Sequence, residues 1–227
     1  MQTISNSNFV IGIFKRELKN RFLCEVSVSG EDIVCYVPSS CHLSNFLKLE
    51  GKQVLLVPTQ AQNARTAYAL YAVCYRNSYI LLNTSLANRA IESNIRKPRF
   101  YFLGARRIVK KEYRIHNYKA DLYLPETDTI IEIKSIISTD KVARFPSVYS
   151  ERTLNQFRSI QQLLKEGHKV CFFVVSLCPS VKEIIIDRDS EFYTEFSKCV
   201  QCGMQVAAYN CKISGDELLI NKTLIIK

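Results

Sequence analysis

Asp121, Glu132 and Lys134 form an aspartate and, after ten intervening residues, a Glu-Ile-Lys run. If the backbone sets the two acids side by side, their like charges repel and destabilise the local sheet. A cation between them removes that conflict. Mg²⁺, or Mn²⁺ in its place, takes one or two carboxylates together with waters and phosphate oxygens. A lysine two residues past the glutamate, on the same strand face, can orient a metal-bound water or help deprotonate it. This is the chemistry of phosphodiester hydrolysis. Asp121 and Glu132 are therefore the expected metal ligands, and all three residues the expected catalytic set. The same residue types also suit the solvated edge of a strand, so the surrounding elements have to decide.

The stretch KADLYLPETDTIIEIKS (119–135) reads as a β-hairpin with arms Tyr118–Leu124 and Thr129–Ser135. Pro125-Glu126-Thr127-Asp128 supplies turn-forming residues between them. Pairing Leu124 with Thr129 sets Tyr123 opposite Ile130, Leu122 opposite Ile131 and Asp121 opposite Glu132. Side chains alternate along a strand. One face is then expected to carry Ala120, Leu122, Leu124, Ile131 and Ile133, and the other Asp121, Glu132 and Lys134.

The chain has 227 residues, 47% hydrophobic and 11% aromatic, which excludes a disordered polypeptide and allows a sizeable core. No apolar run approaches the roughly 18 residues of a membrane span. The N-terminal MQTISNSNFV lacks a basic region followed by an apolar one, so a cytoplasmic protein is expected. The nine cysteines are irregularly spaced. Most lie in apolar runs and read as small buried hydrophobes in a reducing compartment. Cys199-x-x-Cys202 leaves open a redox or metal-sensing role, although no second pair or histidine cluster is evident to complete a zinc site.

Net charge is +10, concentrated in one strip. Arg96, Lys97, Arg99, Arg106, Arg107, Lys110, Lys111, Arg114 and Lys119 face a single acid, Glu112. Phe100, Tyr101, Phe102, Tyr113 and Tyr118 are interleaved with them. Basic residues among aromatics suit nucleic acid, and a solvated basic surface is the alternative. The expected DNA contacts are Arg16, Arg21, Arg65, Arg106, Arg107, Lys110, Lys111 and Arg114. They would grip the backbone with weak sequence preference.

Residues 1–82 contain six short strand candidates: Phe9–Phe14, Phe22–Val28, Ile33–Val37, Val54–Val57, Ala67–Tyr75 and Tyr79–Leu82. With a small helical piece at Leu43–Leu47, they predict an OB-like β-barrel of the kind that binds nucleic acid. Residues 83–227 predict a mixed α/β domain. Thr84 is the expected N-cap of a helix reaching about Ile95, with Leu86, Ala90, Ile91 and Ile95 on its apolar face. Glu92 on that helix either joins the acidic site or faces solvent. Arg107–Tyr113 is a strand candidate, and 138–147 reads as a polar loop. A helix capped by Ser150 buries Leu154, Phe157, Ile160 and Leu164 and stops at Gly167. The unbroken apolar run Val170–Val175 predicts a strand buried on both faces, parallel to Thr129–Ser135. A helix over Glu191–Cys202, a strand over Met204–Cys211 and a hairpin or tail over Leu218–Ile226 follow.

A hairpin with Asp121 and Glu132-Ile133-Lys134 followed by a βαβ unit looks like the restriction-endonuclease-like, PD-(D/E)XK nuclease fold. Ala120 stands where that pattern has its proline. Over nearly the whole chain the order of motifs resembles the sugar fermentation stimulation protein A family. The matching pieces include Arg21-Phe22-Leu23, Arg65-Thr66-Ala67-Tyr68, Asn83-Thr84-Ser85-Leu86-Ala87-Asn88, Asp121, Glu132-Ile133-Lys134-Ser135, Phe145-Pro146, Glu151-Arg152 and Glu166-Gly167-His168. The resemblance implies a DNA-binding protein with an OB-like N-terminal domain, a nuclease-like C-terminal domain and a Mg²⁺ site at Asp121 and Glu132. A binding-only regulator of sugar metabolism genes with a relic site is the alternative. The chain departs from the family at Ser39-Ser40-Cys41-His42, Ser147, Thr153, Asn155 and Gln156. The last two replace a Lys-His pair, and Gln156 could still hydrogen-bond a phosphate or a water. Nothing in these motifs separates a monomer from a homodimer.

Overall fold

A computed structural model describes residues 9–39, 42–45, 47–59, 64–146, 150–215 and 217–227. Ser40, Cys41 and Ser147 lie outside them. Strands β1 (Val10–Glu17), β2 (Leu23–Val28), β3 (Glu31–Tyr36), β4 (Gln53–Pro58), β5 (Tyr68–Tyr75) and β6 (Ser78–Leu81) form the first sheet. Its order is β3-β2-β1-β4-β5-β6. A parallel pairing of Tyr36 with Ala69 joins β3 to β5 and closes β1–β5 into the expected OB-like barrel. Gly12 on β1 admits a close approach: a β-carbon there would clash with Val26 Cγ1. Inward-facing Phe14, Val26, Val54 and Leu70 fill the barrel.

The second half is a mixed sheet, ordered β14-β13-β11-β9-β8-β7, with helices on both faces. Its strands are β7 (Lys110–Ile115), β8 (Tyr118–Leu124), β9 (Thr129–Ile136), β11 (Lys169–Ser176), β13 (Gln205–Ser214) and β14 (Glu217–Thr223). The central strands β9, β11 and β13 are parallel. On β11, Val170, Phe172 and Val174 join the core cluster of α2 (Glu151–Lys165) and α3 (Glu191–Gln201). The alternate residues Cys171, Phe173 and Val175 pack with α1 (Leu86–Asn94). An unbroken apolar run is what a strand covered on both faces requires. In α2, Leu163 rather than Leu164 completes the buried stripe. Ser150 stands at the N-cap position but its side chain makes no capping bond. Helix α1 starts at Leu86 with Ser85, not Thr84, at the N-cap position, and Asn83 Oδ1 accepts from the Ser85 N–H at 3.0 Å.

The expected loop over 138–147 contains a strand, β10 (Val142–Phe145). It pairs in parallel with β12 (Glu183–Ile186), which in turn pairs with β15 (Ile225–Ile226). The two halves share a core. Leu55, Ala72 and Leu81 on the outside of the barrel pack with α1, Ile131 and Phe173. The Leu81 N–H donates to the Leu177 carbonyl at 3.0 Å. Among the described residues no helix is long and apolar enough to cross a membrane.

Candidate active site at the β8–β9 gap

The β8–β9 register is the expected one: Leu124 pairs with Thr129, Tyr123 with Ile130 and Leu122 with Ile131. The ladder then ends, and Asp121 replaces the next backbone acceptor. Its Oδ2 accepts from the Ile133 N–H at 2.7 Å, and its Oδ1 from Asn88 Nδ2 at 2.9 Å. The expected apolar set is corrected at one position. Ala120 packs with Tyr118 and Ile130 in one core cluster, while Leu122 and Leu124 lie in the other. The change of side falls at Asp121. Opposite it on β7, Glu112 takes a left-handed backbone with φ 48°. The β7–β8 pairs run on either side of these two residues and omit them. The hairpin therefore bends at Glu112 and Asp121, which opens the gap between β8 and β9.

Glu132 and Lys134 extend from β9 toward α2. Glu132 is 3% exposed, and burying a carboxylate requires partners. Its Oε2 accepts from the Tyr118 hydroxyl at 2.5 Å. Its Oε1 accepts from Lys134 Nζ at 2.7 Å and from Gln156 Nε2 at 3.1 Å. Lys134 Nζ also donates to Gln156 Oε1 at 2.6 Å. Lys134 thus does not bridge the two carboxylates: Asp121 is anchored through α1, and Glu132 through α2.

The Asp121 carboxyl is pushed up to about 6, first by burial and then by the Glu132 carboxylate. The Ile133 N–H, Asn88 and Lys134 oppose the rise without cancelling it. Burial and the same Glu132 carboxylate push the Tyr118 phenol well above its ordinary value. In both groups burial is the larger cause and the Glu132 carboxylate the second. The site opens into a cleft of about 590 Å³ lined also by Ser39, Ser85, Lys119, Arg152 and Thr153. The donors facing it are hard oxygens. A carboxylate oxygen that accepts one hydrogen bond keeps a further lone pair. The residues present thus fit a Mg²⁺-type ion.

The remaining sequence candidates are dispersed. None of the eight basic residues expected to contact DNA lines this cleft; Lys119 and Arg152 do. Arg16 pairs with Glu25 at 3.1 Å, and Arg21 lies over the Phe22 ring at 4.8 Å. Arg106 donates to the Ile95 carbonyl at 2.9 Å and to that of Gly104. Arg107 and Glu126 approach to 3.7 Å, and Lys110 sits 4.8 Å from the Tyr113 ring centroid. Lys111 pairs with Glu92 at 3.0 Å, so Glu92 is drawn to the edge strand and away from Asp121. Arg114 is exposed on β7. Arg65 lines a second cleft, against the barrel, with Phe22, Tyr36, Tyr71 and Arg89. Asn83 and Arg89 border this second cleft, and Thr84, Ser85 and Asn88 border the first, so the two meet at the start of α1. Asn155 accepts from Arg158 instead of lining the site. The eight described cysteines are free. Cys199 is buried, its thiol pushed up to about 12 mainly by burial, and Cys202 is exposed. A buried, neutral thiol is a poor metal ligand or redox nucleophile.

An OB-like barrel joined to a helix-covered mixed sheet, with two carboxylates and a lysine at a parted strand pair, defines the class of protein. Residues 17–82 match the SfsA N-terminal OB domain, and residues 85–217 match the sugar fermentation stimulation protein RE domain. The chain belongs to the sugar fermentation stimulation protein (SfsA) family. A sugar fermentation stimulation protein homolog from Natranaerobius thermophilus is 25% identical over 222 residues, covering 93% of this chain and 91% of the relative. The homolog from Clostridium perfringens is 25% identical over 228 residues, covering 97% and 98%. The solved structure of Pyrococcus furiosus SfsA in complex with Ca²⁺ has the same fold. Its TM-score is 0.83 at 19% identity, covering 100% of this chain and 99% of that one.

Proposed function

We propose that the chain binds nucleic acid and hydrolyses its phosphodiester bonds with the help of Mg²⁺ or Mn²⁺. One observation carries this reading: Asp121, Glu132 and Lys134 are set together in one open cleft. Asp121 and Glu132 would hold the ion, which supplies polarisation of the scissile phosphate and a more acidic water. Lys134, fixed by Glu132 and Gln156, steers the attacking water toward phosphorus. Lys119 and Arg152 hold the flanking phosphates at the cleft wall. The Ca²⁺ in complex with P. furiosus SfsA is a cation of the same oxygen-preferring kind. The barrel cleft, with Phe22, Tyr36, Arg65 and Arg89, suits unpaired bases and their backbone.

The test is cleavage of labelled single- and double-stranded DNA and of RNA with Mg²⁺ or Mn²⁺. Asp121→Asn, Glu132→Gln and Lys134→Met should each lower the rate by at least about 100-fold, the scale of losing one group that stabilises transition-state charge. Binding without metal should persist in all three variants and weaken steeply with salt. A second reading, a binding-only regulator of sugar metabolism genes, is favoured by the three hydrogen bonds that Glu132 already accepts from Tyr118, Lys134 and Gln156. DNA binding with no metal-stimulated cleavage of any substrate, and Asp121→Asn indistinguishable from the parent, would establish it.

A further inference from the structure

A second group of ligand-type side chains lies outside the carboxylate cleft. His116 is at the turn between β7 and β8, Glu166 follows α2, and His168 precedes β11. One ligand atom from each lies within 4.8 Å of the other two. His116 Nε2 is 3.4 Å from Glu166 Oε2. Both Asp128 carboxylate oxygens lie 2.9 Å from His168 Nδ1. Asp128 is itself held by the Tyr123 hydroxyl at 2.9 Å. Two of the chain's three histidines converge here.

We propose that His116, Glu166 and His168 form a binding site for a transition-metal dication of the Zn²⁺ type. Two imidazoles and a carboxylate are a recurrent zinc ligand set, with water in the fourth position. Mg²⁺ and Ca²⁺ select oxygen donors, so this site and the Asp121–Glu132 pair sort different ions. A histidine that ligates metal through one nitrogen usually gives the other to a carboxylate, which fixes the ring. Asp128 occupies that position on His168 with Nδ1, which assigns Nε2 to the ion. The His116 side chain is 72% exposed and the Glu166 side chain 35%, so an ion can enter from solvent.

Occupancy would tie the tip of the β7–β8 hairpin to the segment between α2 and β11. Tyr118 and Lys119 follow that tip directly. Tyr118 donates to Glu132, and Lys119 lines the carboxylate cleft. The zinc site thereby acts as a clip on one wall of the cleft. It stands whether or not the cleft cleaves nucleic acid.

The experiment is Zn²⁺ titration of the full chain against a competing chelating dye near neutral pH. Cys202→Ser serves as the parent, because Cys202 is exposed. One tight site per chain is expected, with Co²⁺ in it showing no thiolate charge-transfer band. His116→Ala and His168→Ala should each weaken binding more than the roughly 10–100-fold typical of removing an outer-shell partner. Asp128→Asn should fall within that range, and Asp121→Asn should bind as the parent does. Zn²⁺ should raise the unfolding temperature of the parent and leave that of His116→Ala unmoved. His116 is on an exposed turn with φ 50°, so alanine strains that turn without touching the core, and the Zn²⁺-induced shift is read within each variant. Unchanged affinity in both histidine variants, a thiolate band, or no Zn²⁺ uptake by the parent overturns the site.

Discussion

Asp121 gives the metal-free protein a specific pH signature. Its pKa rises from 3.8 in the unfolded chain to about 6 on folding, through burial and the Glu132 carboxylate. The folded protein therefore holds this proton more tightly than the unfolded chain does. The resulting stabilisation is complete below 3.8 and is lost as pH rises through about 6. Two pKa units correspond to up to about 3 kcal/mol. Asp121→Asn removes the term, so without divalent ions the variant should gain stability over the parent between those pH values and keep the gain above them. Denaturant unfolding at a series of pH values reads this directly, and a pH-independent difference would contradict it. Asp121, Glu132 and Lys134 were legible in the sequence because one hairpin carries all three and its register follows from a four-residue turn. Asn88 and Gln156 come from α1 and α2, while Tyr118 opens the same hairpin, and their bonds to the carboxylates depend on how α1, α2 and the bent hairpin pack. No local pattern encodes that packing. The sequence suggests Gln156 as a partner for phosphate or water, whereas the structure uses it to fix Lys134 and Glu132.

Period and length decided which elements could be read in advance. Strand β11 is a long apolar run, and α1 keeps Leu86, Ala90, Ile91 and Ile95 on its buried side. Strands β10 and β12 have four residues each and β15 has two. They pair with partners far along the chain, so neither alternation nor a turn signal marks them. The bend in the β7–β8 hairpin was equally hidden, because a glutamate with positive φ carries no composition cue. Gly12 on β1 offers the sharpest test of an element. An added methyl would clash with Val26 Cγ1 and press on the Ser27 carbonyl at 3.1 Å. Overpacking of this kind costs about 1–3 kcal/mol. Gly12→Ala should lower the urea midpoint accordingly, and an unchanged midpoint would mean that β1 and β2 separate at no cost.

At the scale of the whole molecule, the two halves predicted from the sequence are tied by a common core. Leu81 is fully buried among Leu55, Ala72, α1 and the central sheet, and its N–H bonds across to Leu177. Truncating such a residue costs about 2–5 kcal/mol. Leu81→Ala should destabilise barrel and sheet together, with fluorescence and circular dichroism moving through one shared transition. Two separated transitions in the parent would show that the halves unfold independently. The sequence placed strands on both sides of this junction, but it could not show that Leu55, Ala72 and Leu81 face outward from the barrel into this shared core.

Among the described residues the barrel closes between β3 and β5 through the single pairing of Tyr36 with Ala69, where its other neighbouring strands share four or more. Tyr36 and Ala69 also line the aromatic cleft. Amide hydrogen exchange in the native protein should therefore be fastest along this seam. A ligand seated in the cleft would slow that exchange while touching both strands, so the barrel would report occupancy through its own breathing, without any change of fold.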